Sequence, residues 1–217
     1  GIEAPDHGVL SVGGQVVSFA SPADAIRCGL ALCPEERKTD GVVAELSVRE
    51  NIALALQARL GLRRYLSRAE QTALAERFVV ALGIKTASIE TPIGLLSGGN
   101  QQKALIARCL NAGTRLLFLD EPSSGLDPVV SSALDDLILK LREAMDISVV
   151  VVTHDVESAF KIADRITILD QGHILATERI EQIRNSTNAR VQNLLNRRAV
   201  EQEVDAAEYL KRLTGEK

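Results

Sequence analysis

Two carboxylates stand side by side at Asp120-Glu121, directly after the apolar run Leu116-Leu117-Phe118-Leu119. A short apolar run of this kind reads as a buried strand, and its end lies where open α/β sheets bind ligands. Asp120 is suited to hold Mg²⁺, mostly through water, because that ion gives up its hydration shell reluctantly. Glu121 is suited to orient or deprotonate an attacking water. A second cluster lies upstream, Leu96-Ser97-Gly98-Gly99-Asn100-Gln101-Gln102-Lys103. Gly98 and Gly99 let the backbone come close to a ligand. Ser97 opens a helix, whose free N–H groups and positive dipole end attract phosphate. The chemistry these residues offer is attack of water on a phosphoryl group.

The elements that must hold these residues can be read from the pattern around them. Gly8 to Val17 predicts a β-hairpin turning at Gly13-Gly14. Ser21-Pro22 opens a short helix from Ala23 to Cys28, and Leu30–Cys33 is a short strand ended by Pro34. A charged loop follows, Glu35 to Gly41. Ser47 with Glu50, and Ser67 with Glu70, are capping boxes that start two helices, the second ending before Gly83. A helix after Gly99 runs to about Asn111. The pattern then becomes strand–helix–strand: Leu116–Leu119, Val129 to Met145, and Ser148–Thr153, the last apolar enough to be buried on both faces. A helix over Val156–Ala163 and a hairpin at Gln171-Gly172 come next. Ile180 to Leu213 is charged and helical, with Val191, Leu194 and Leu195 as its apolar stripe. The order predicts a mixed α/β core interrupted by a helical insertion over roughly 46–95.

Bulk properties narrow the class. The chain has 217 residues, 46% of them hydrophobic and 25% charged, enough for one domain with a large core and room for a small appended subdomain. Aromatics are only 3%, so that core is aliphatic. A net charge of −4 disfavours a nucleic-acid surface. The longest apolar runs, Leu116–Leu119 and Val149–Val152, fall far short of the ~20 residues that cross a bilayer. No secretory signal is expected. Cys28, Cys33 and Cys109 lack metal-ligand spacing and read as thiols of a reducing cytosol.

With both clusters in view, the chain resembles the ATPase domains of ABC transporters over nearly all its length. The resemblance implies an α/β, P-loop NTPase-like ABC ATPase core with a helical insertion. Residues 1–45 would be a partial N-terminal β region with a Q-loop-like segment, and 46–110 the helical subdomain carrying the signature motif. Residues 111–177 would be the RecA-like core and 178–217 a helical tail. It implies ATP and Mg²⁺ as ligands, with Asp120 serving the metal and Glu121 as the catalytic carboxylate. His154 would sense the γ-phosphate. In this family the signature turn completes the partner's site in a head-to-tail dimer, so Ser97, Gly98, Gly99 and Gln101 would contact the opposite nucleotide. Ser124, Gly125, Leu126 and Asp127 would form the loop that crosses the dimer interface. Glu35 stands where the family carries a glutamine and could also ligate Mg²⁺. The expected partners are a second ABC ATPase domain and transmembrane permease subunits, at the cytoplasmic face of the membrane. A non-hydrolytic module lending its signature turn in trans is the alternative.

Two features depart from the family pattern. No Gly-x-x-x-x-Gly-Lys-Ser/Thr occurs anywhere in the sequence. The chain therefore looks like a domain without its first ~40 residues, the length of a strand, phosphate loop and helix. Residues 8–122 resemble the second cassette of ribose/galactose-type sugar importers, through Pro34-Glu35-Glu36-Arg37-Lys38 and Leu96–Lys103. The back half, through Thr153-His154-Asp155 and Ala163-Asp164-Arg165, resembles bacterial lipid-transport ATPases. Sugar import is the favoured cargo.

Overall fold

A computed structural model describes residues 7–61 and 64–196. The chain divides into two compact units, residues 1–158 and 159–217.

In the first unit, β1 (Leu10–Val12) and β2 (Gln15–Val17) form the expected antiparallel hairpin. Helix α1 (Pro22–Arg27) follows Ser21. The Ser21 hydroxyl does not cap the backbone; it donates to Asp24 Oδ2, which also accepts the Ala20 N–H. β3 (Leu30–Cys33) leads through Pro34 into a wide single turn, Arg37–Gly41. Both capping boxes form as the sequence predicts. Glu50 Oε2 accepts the Ser47 N–H at 2.8 Å to open α2 (Val48–Leu60), and Glu70 does the same for Ser67 at 2.8 Å to open α3 (Arg68–Ala81). After a 3₁₀ turn at Ile93–Leu95 comes α4 (Gly98–Asn111). Ala104, Leu105, Ile106, Ala107, Cys109 and Leu110 are all buried, so α4 is enclosed nearly all round and forms the spine of this unit.

β4 (Leu116–Asp120), α5 (Pro128–Met145) and β5 (Ser148–Val152) complete the core. Asp127 caps α5, its Oδ1 accepting the N–H groups of Val129 and Val130, with Pro128 in the first turn where no N–H is needed. The sheet runs β3-β4-β5, all parallel, with Cys33 opposite Leu119 and Asp120 opposite Val152. This register brings the carboxyl ends of three strands to one edge. The expectation that Ser148–Thr153 is buried on both faces is not met. β5 alternates, with Ser148, Val150 and Val152 exposed. Among the described residues it pairs with β4 on one side only, and the face that carries Ser148, Val150 and Val152 is open.

Helix α6 (Val156–Ile162) begins in the first unit and ends in the second. The second unit is the hairpin β6 (Arg165–Asp170) and β7 (His173–Arg179), then α7 (Ile180–Arg184) and α8 (Ala189–Leu195). Ile168, Ile183 and Val191 make its small core, with Leu195 packed against it. The predicted continuous tail helix is broken between Arg184 and Ala189, because Asn188 turns its side chain to cap a new helix at Arg190 and Val191. Leu194 is exposed and leaves the apolar stripe. The part of that tail from 197 to 213 lies outside the described residues. The observed mixture of parallel sheet, helices and hairpins is the predicted α/β class.

Candidate active site at the sheet edge

The residue after β4 does not continue the strand. Glu121 has φ +39°, the left-handed region that a non-glycine residue occupies at a cost. Two backbone bonds hold it there: its N–H donates to Val152 O at 2.9 Å, and its carbonyl accepts from Ser124 N–H at 2.9 Å. The turn directs the carboxylate toward the end of β5. Oε1 accepts the His154 backbone N–H and the His154 Nδ1–H, each at 2.8 Å, and Oε2 accepts the Thr153 hydroxyl at 3.2 Å. Thr153 Oγ1 in turn accepts the Asp155 N–H at 3.0 Å. Glu121 is mostly enclosed while His154 stands in solvent, with side-chain exposures of 14% and 84%. The bond to Glu121 and its negative charge hold the His154 imidazole above its ordinary pKa, with smaller help from the charges of Asp155 and Glu35.

Asp120, half-buried, ends β4 beside Glu121, and Glu35 is exposed two residues past β3. Four of the sequence-predicted residues, Glu35, Asp120, Glu121 and His154, therefore belong to one edge. Among the described residues no three His, Cys, Asp or Glu side chains converge as a self-sufficient metal cage. That donor set suits Mg²⁺, which takes one or two carboxylates and keeps waters or phosphate oxygens for the rest.

The second cluster is the start of α4 with the loop before α5. Ser97 is exposed; its Oγ accepts from Asn100 Nδ2 at 2.8 Å and leaves the helix N–H groups uncapped by the side chain. The glycines serve a close approach within the chain as well. A Cβ on Gly99 would lie 2.5 Å from Val130 Cγ1, and one on Gly98 would lie 3.2 Å from Leu126 Cδ2 and from Arg37 Nη2. Gln101 is not presented with Ser97. It is buried, and its Nε2 donates to the carbonyls of Ile93 and Leu96. This corrects the expectation of an outward-reaching amide: Gln101 turns inward onto the Leu96 carbonyl and onto that of Ile93, which also accepts the Leu96 N–H.

In the sequence Arg37 belongs to a charged loop and to the Pro34–Lys38 segment, with no role of its own assigned. Its Nη1 donates to Ser124 O at 2.7 Å, and its guanidinium lies against both Gly98 and Gly125. It joins the signature turn to the loop Ser124–Asp127. Nothing local announces this, since its partner is 87 residues away. Thr153, which bonds Glu121, was equally unassigned. Its signal was position, one residue past a strand parallel to the one that carries the carboxylates.

A family model described as ABC transporter matches residues 1–124. The chain belongs to the ABC transporter ATP-binding family. Over 169 residues it is 44% identical to the galactofuranose transporter ATP-binding protein YtfR of Escherichia coli (strain K12), covering 78% of this chain and 34% of that protein. It is 39% identical to the arabinose import ATP-binding protein AraG of Azospirillum brasilense, covering 80% and 34%. The ABC chain thus spans about a third of the length of the relatives it matches. Its fold is similar to the solved dimeric post-hydrolysis structure of the ATP-binding cassette MJ0796 bound to ADP and Pi, with TM-score 0.69, 23% identity, and coverage of 82% of this chain and 75% of that one. The likeness to sugar-importer ATPases read from Pro34–Lys38 and Leu96–Lys103 is borne out by these relatives.

Proposed function

We propose that the chain is all or part of the ATP-hydrolysing component of a sugar importer. It would work in a head-to-tail pair with a second ABC ATPase domain and be coupled to permease subunits at the cytoplasmic face of the membrane. The observation that carries this proposal is the Glu121 carboxylate, fixed beside Asp120 at the sheet edge and bonded to His154. The names of the relatives, galactofuranose and arabinose importers, support sugar as the cargo. No described helix is long and apolar enough to cross a membrane, so on this proposal the membrane is reached through partners.

In this reading Glu121 accepts a proton from the water that attacks the γ-phosphate. Thr153 and His154 occupy specific lone pairs and leave the carboxylate oriented rather than free to rotate. Asp120, with Glu35 as a second candidate, would hold Mg²⁺, which when bound neutralises charge on phosphate oxygens. His154 presents its exposed ring toward solvent, where it would meet the γ-phosphate of a nucleotide at this edge. Ser97, Gly98 and Gly99 face the partner's nucleotide, and Gln101 braces their turn. Arg37 and Leu126 make the signature turn and the interface loop Ser124–Asp127 one body, so both meet the partner together.

The test is Glu121→Gln in the protein assembled with its ATPase partner and permease. General-base loss predicts turnover falling by about 10²–10⁴-fold with nucleotide binding retained. Turnover at the wild-type rate would remove Glu121 from this role and favour a chain that only lends its signature turn.

A further inference from the structure

Two thiols lie together away from the sheet edge. Cys33 ends β3 and Cys109 is in the last turn of α4; both are buried, and their sulfurs are 3.5 Å apart across 76 residues of sequence. Cys109 Sγ also sits 3.7 Å from Leu32 O. A cavity of about 160 Å³ has Cys109 in its wall. Cys109 lines it with Leu32, Pro34, Asp40, Arg108 and Ala112, and Cys33 is not part of the lining. Leu32 and Asp40 are exposed, so the cavity lining includes outer surface. The volume is many times the ~15 Å³ that a cavity of this measure needs to hold one water, which leaves room for a molecule of peroxide size.

The two sulfurs are not equivalent. The hydrogen bond shared with Cys33, together with the positive charge of Arg108, holds the Cys109 thiol below its ordinary pKa, against the effect of burial. Arg108 is fixed in place: Nε donates to Asn51 O at 2.9 Å, Nη2 to Asn51 Oδ1 at 2.6 Å, and Nη1 to Gly41 O. Cys109, the cysteine on the cavity wall, is thus the one with thiolate character, and Cys33, with its sulfur 3.5 Å away, is placed to resolve it.

We infer that Cys109 and Cys33 form a peroxide-oxidisable dithiol that closes into a disulfide between α4 and β3. The Cys109 thiolate attacks one oxygen of hydrogen peroxide; the O–O bond breaks and hydroxide leaves, taking up a proton to become water. Cys109 becomes a sulfenic acid, oxidised by two electrons, and the peroxide is reduced. The Cys33 thiol gives up its proton and its sulfur attacks the Cys109 sulfur; the S–O bond breaks and a second water leaves. Two thiols and one peroxide become one disulfide and two waters. The sulfurs must close to the ~2.05 Å of an S–S bond, a shift of about 1.5 Å. The product pins the end of β3, two residues before Glu35, to the helix that begins at Gly98, and a dithiol reductant reverses it.

The test treats the folded chain with hydrogen peroxide, quenches, denatures and alkylates. The expected result is a fall in free thiols from three to one, a monomeric product, and one proteolytic fragment pair joined through Cys33 and Cys109. Dithiothreitol restores the count, and Cys28, half-buried at the end of α1, remains alkylated. In a Cys33→Ala chain Cys109 is expected to stop as a sulfenic acid that dimedone labels. In a Cys109→Ala chain Cys33 is expected to stay unlabelled. Three thiols remaining after treatment of the wild-type chain would overturn the inference. So would a disulfide through Cys28, or oxidation of Cys109 to sulfinic acid with Cys33 intact. These wild-type readouts decide the matter even if a variant fails to fold.

Discussion

Gly99→Ala is expected to destabilise the chain through a single contact. The added Cβ would stand 2.5 Å from Val130 Cγ1, where nonbonded carbons prefer about 3.5–4.0 Å. Val130 has little freedom to move. It lies in the first turn of α5, where a β-branched side chain keeps essentially one χ1 rotamer, and its own N–H is held by Asp127 Oδ1 at 3.0 Å. Overpacking of this kind costs about 1–3 kcal/mol. Replacing a helical glycine by alanine gains at most about 1 kcal/mol, and less in a first turn. The strain wins, leaving a net loss near 1–2 kcal/mol. In urea, with a slope of about 2 kcal/mol per molar, the midpoint should drop by about 0.5–1 M. Val130→Ala removes the opposing methyl, so the double variant should recover most of the Gly99→Ala loss, with a coupling of about 1 kcal/mol or more. An unchanged or raised midpoint for Gly99→Ala, or additive losses in the double variant, would refute the reasoning. The recovered double variant then isolates the second demand on Gly99. If it folds normally yet fails to support turnover with a partner, the glycine also serves the approaching nucleotide.

Three further outcomes follow from the geometry. In an NMR titration the His154 ring should change protonation above the ordinary value near 6.5, and Glu121→Gln should bring it back down. A wild-type midpoint at or below that value would contradict the bond described. Because the folded value is the raised one, the pair's stabilising effect is complete below the unfolded value and fades as pH rises through the folded one. Asn51→Ala should cost about 3 kcal/mol by urea denaturation, since it removes a fully buried amide and with it the acceptor of the Val43 N–H and of one Arg108 donor; a loss under about 1 kcal/mol would mean that water replaces the amide. Asp127→Ala should cost about 1 kcal/mol through the α5 cap, with Asp127→Asn retaining most of it; equal losses for both would point to charge rather than capping.

Local chemistry made much of the fold readable. Ser47/Glu50 and Ser67/Glu70 each carry donor and acceptor three residues apart, so the sequence alone determines those helix starts. The carboxylates at 120–121 and the histidine at 154 could be assigned to one edge because parallel strands end in register. What stayed hidden depends on distant partners. Arg37 finds Ser124 only once β3 and β4 are adjacent. Gln101 reads as an exposed motif residue until the 3₁₀ turn at Ile93–Leu95 offers it two carbonyls. The apolar content of β5 fixes that it is a strand, but its cover depends on what packs beside it, and valines alone do not encode that.

The border position of β5 has a practical consequence. Its outer backbone carries N–H and C=O groups that no described strand takes up, and Val150 and Val152 on its open face are 43% and 58% exposed. Val149-Val150-Val151-Val152 has no charge, no proline and high β-propensity. Such a border is a template for the same strand of another molecule. During expression or concentration, copies of this chain would compete with its proper neighbours for that edge, and colloidal behaviour would be governed by four valines rather than by the net charge.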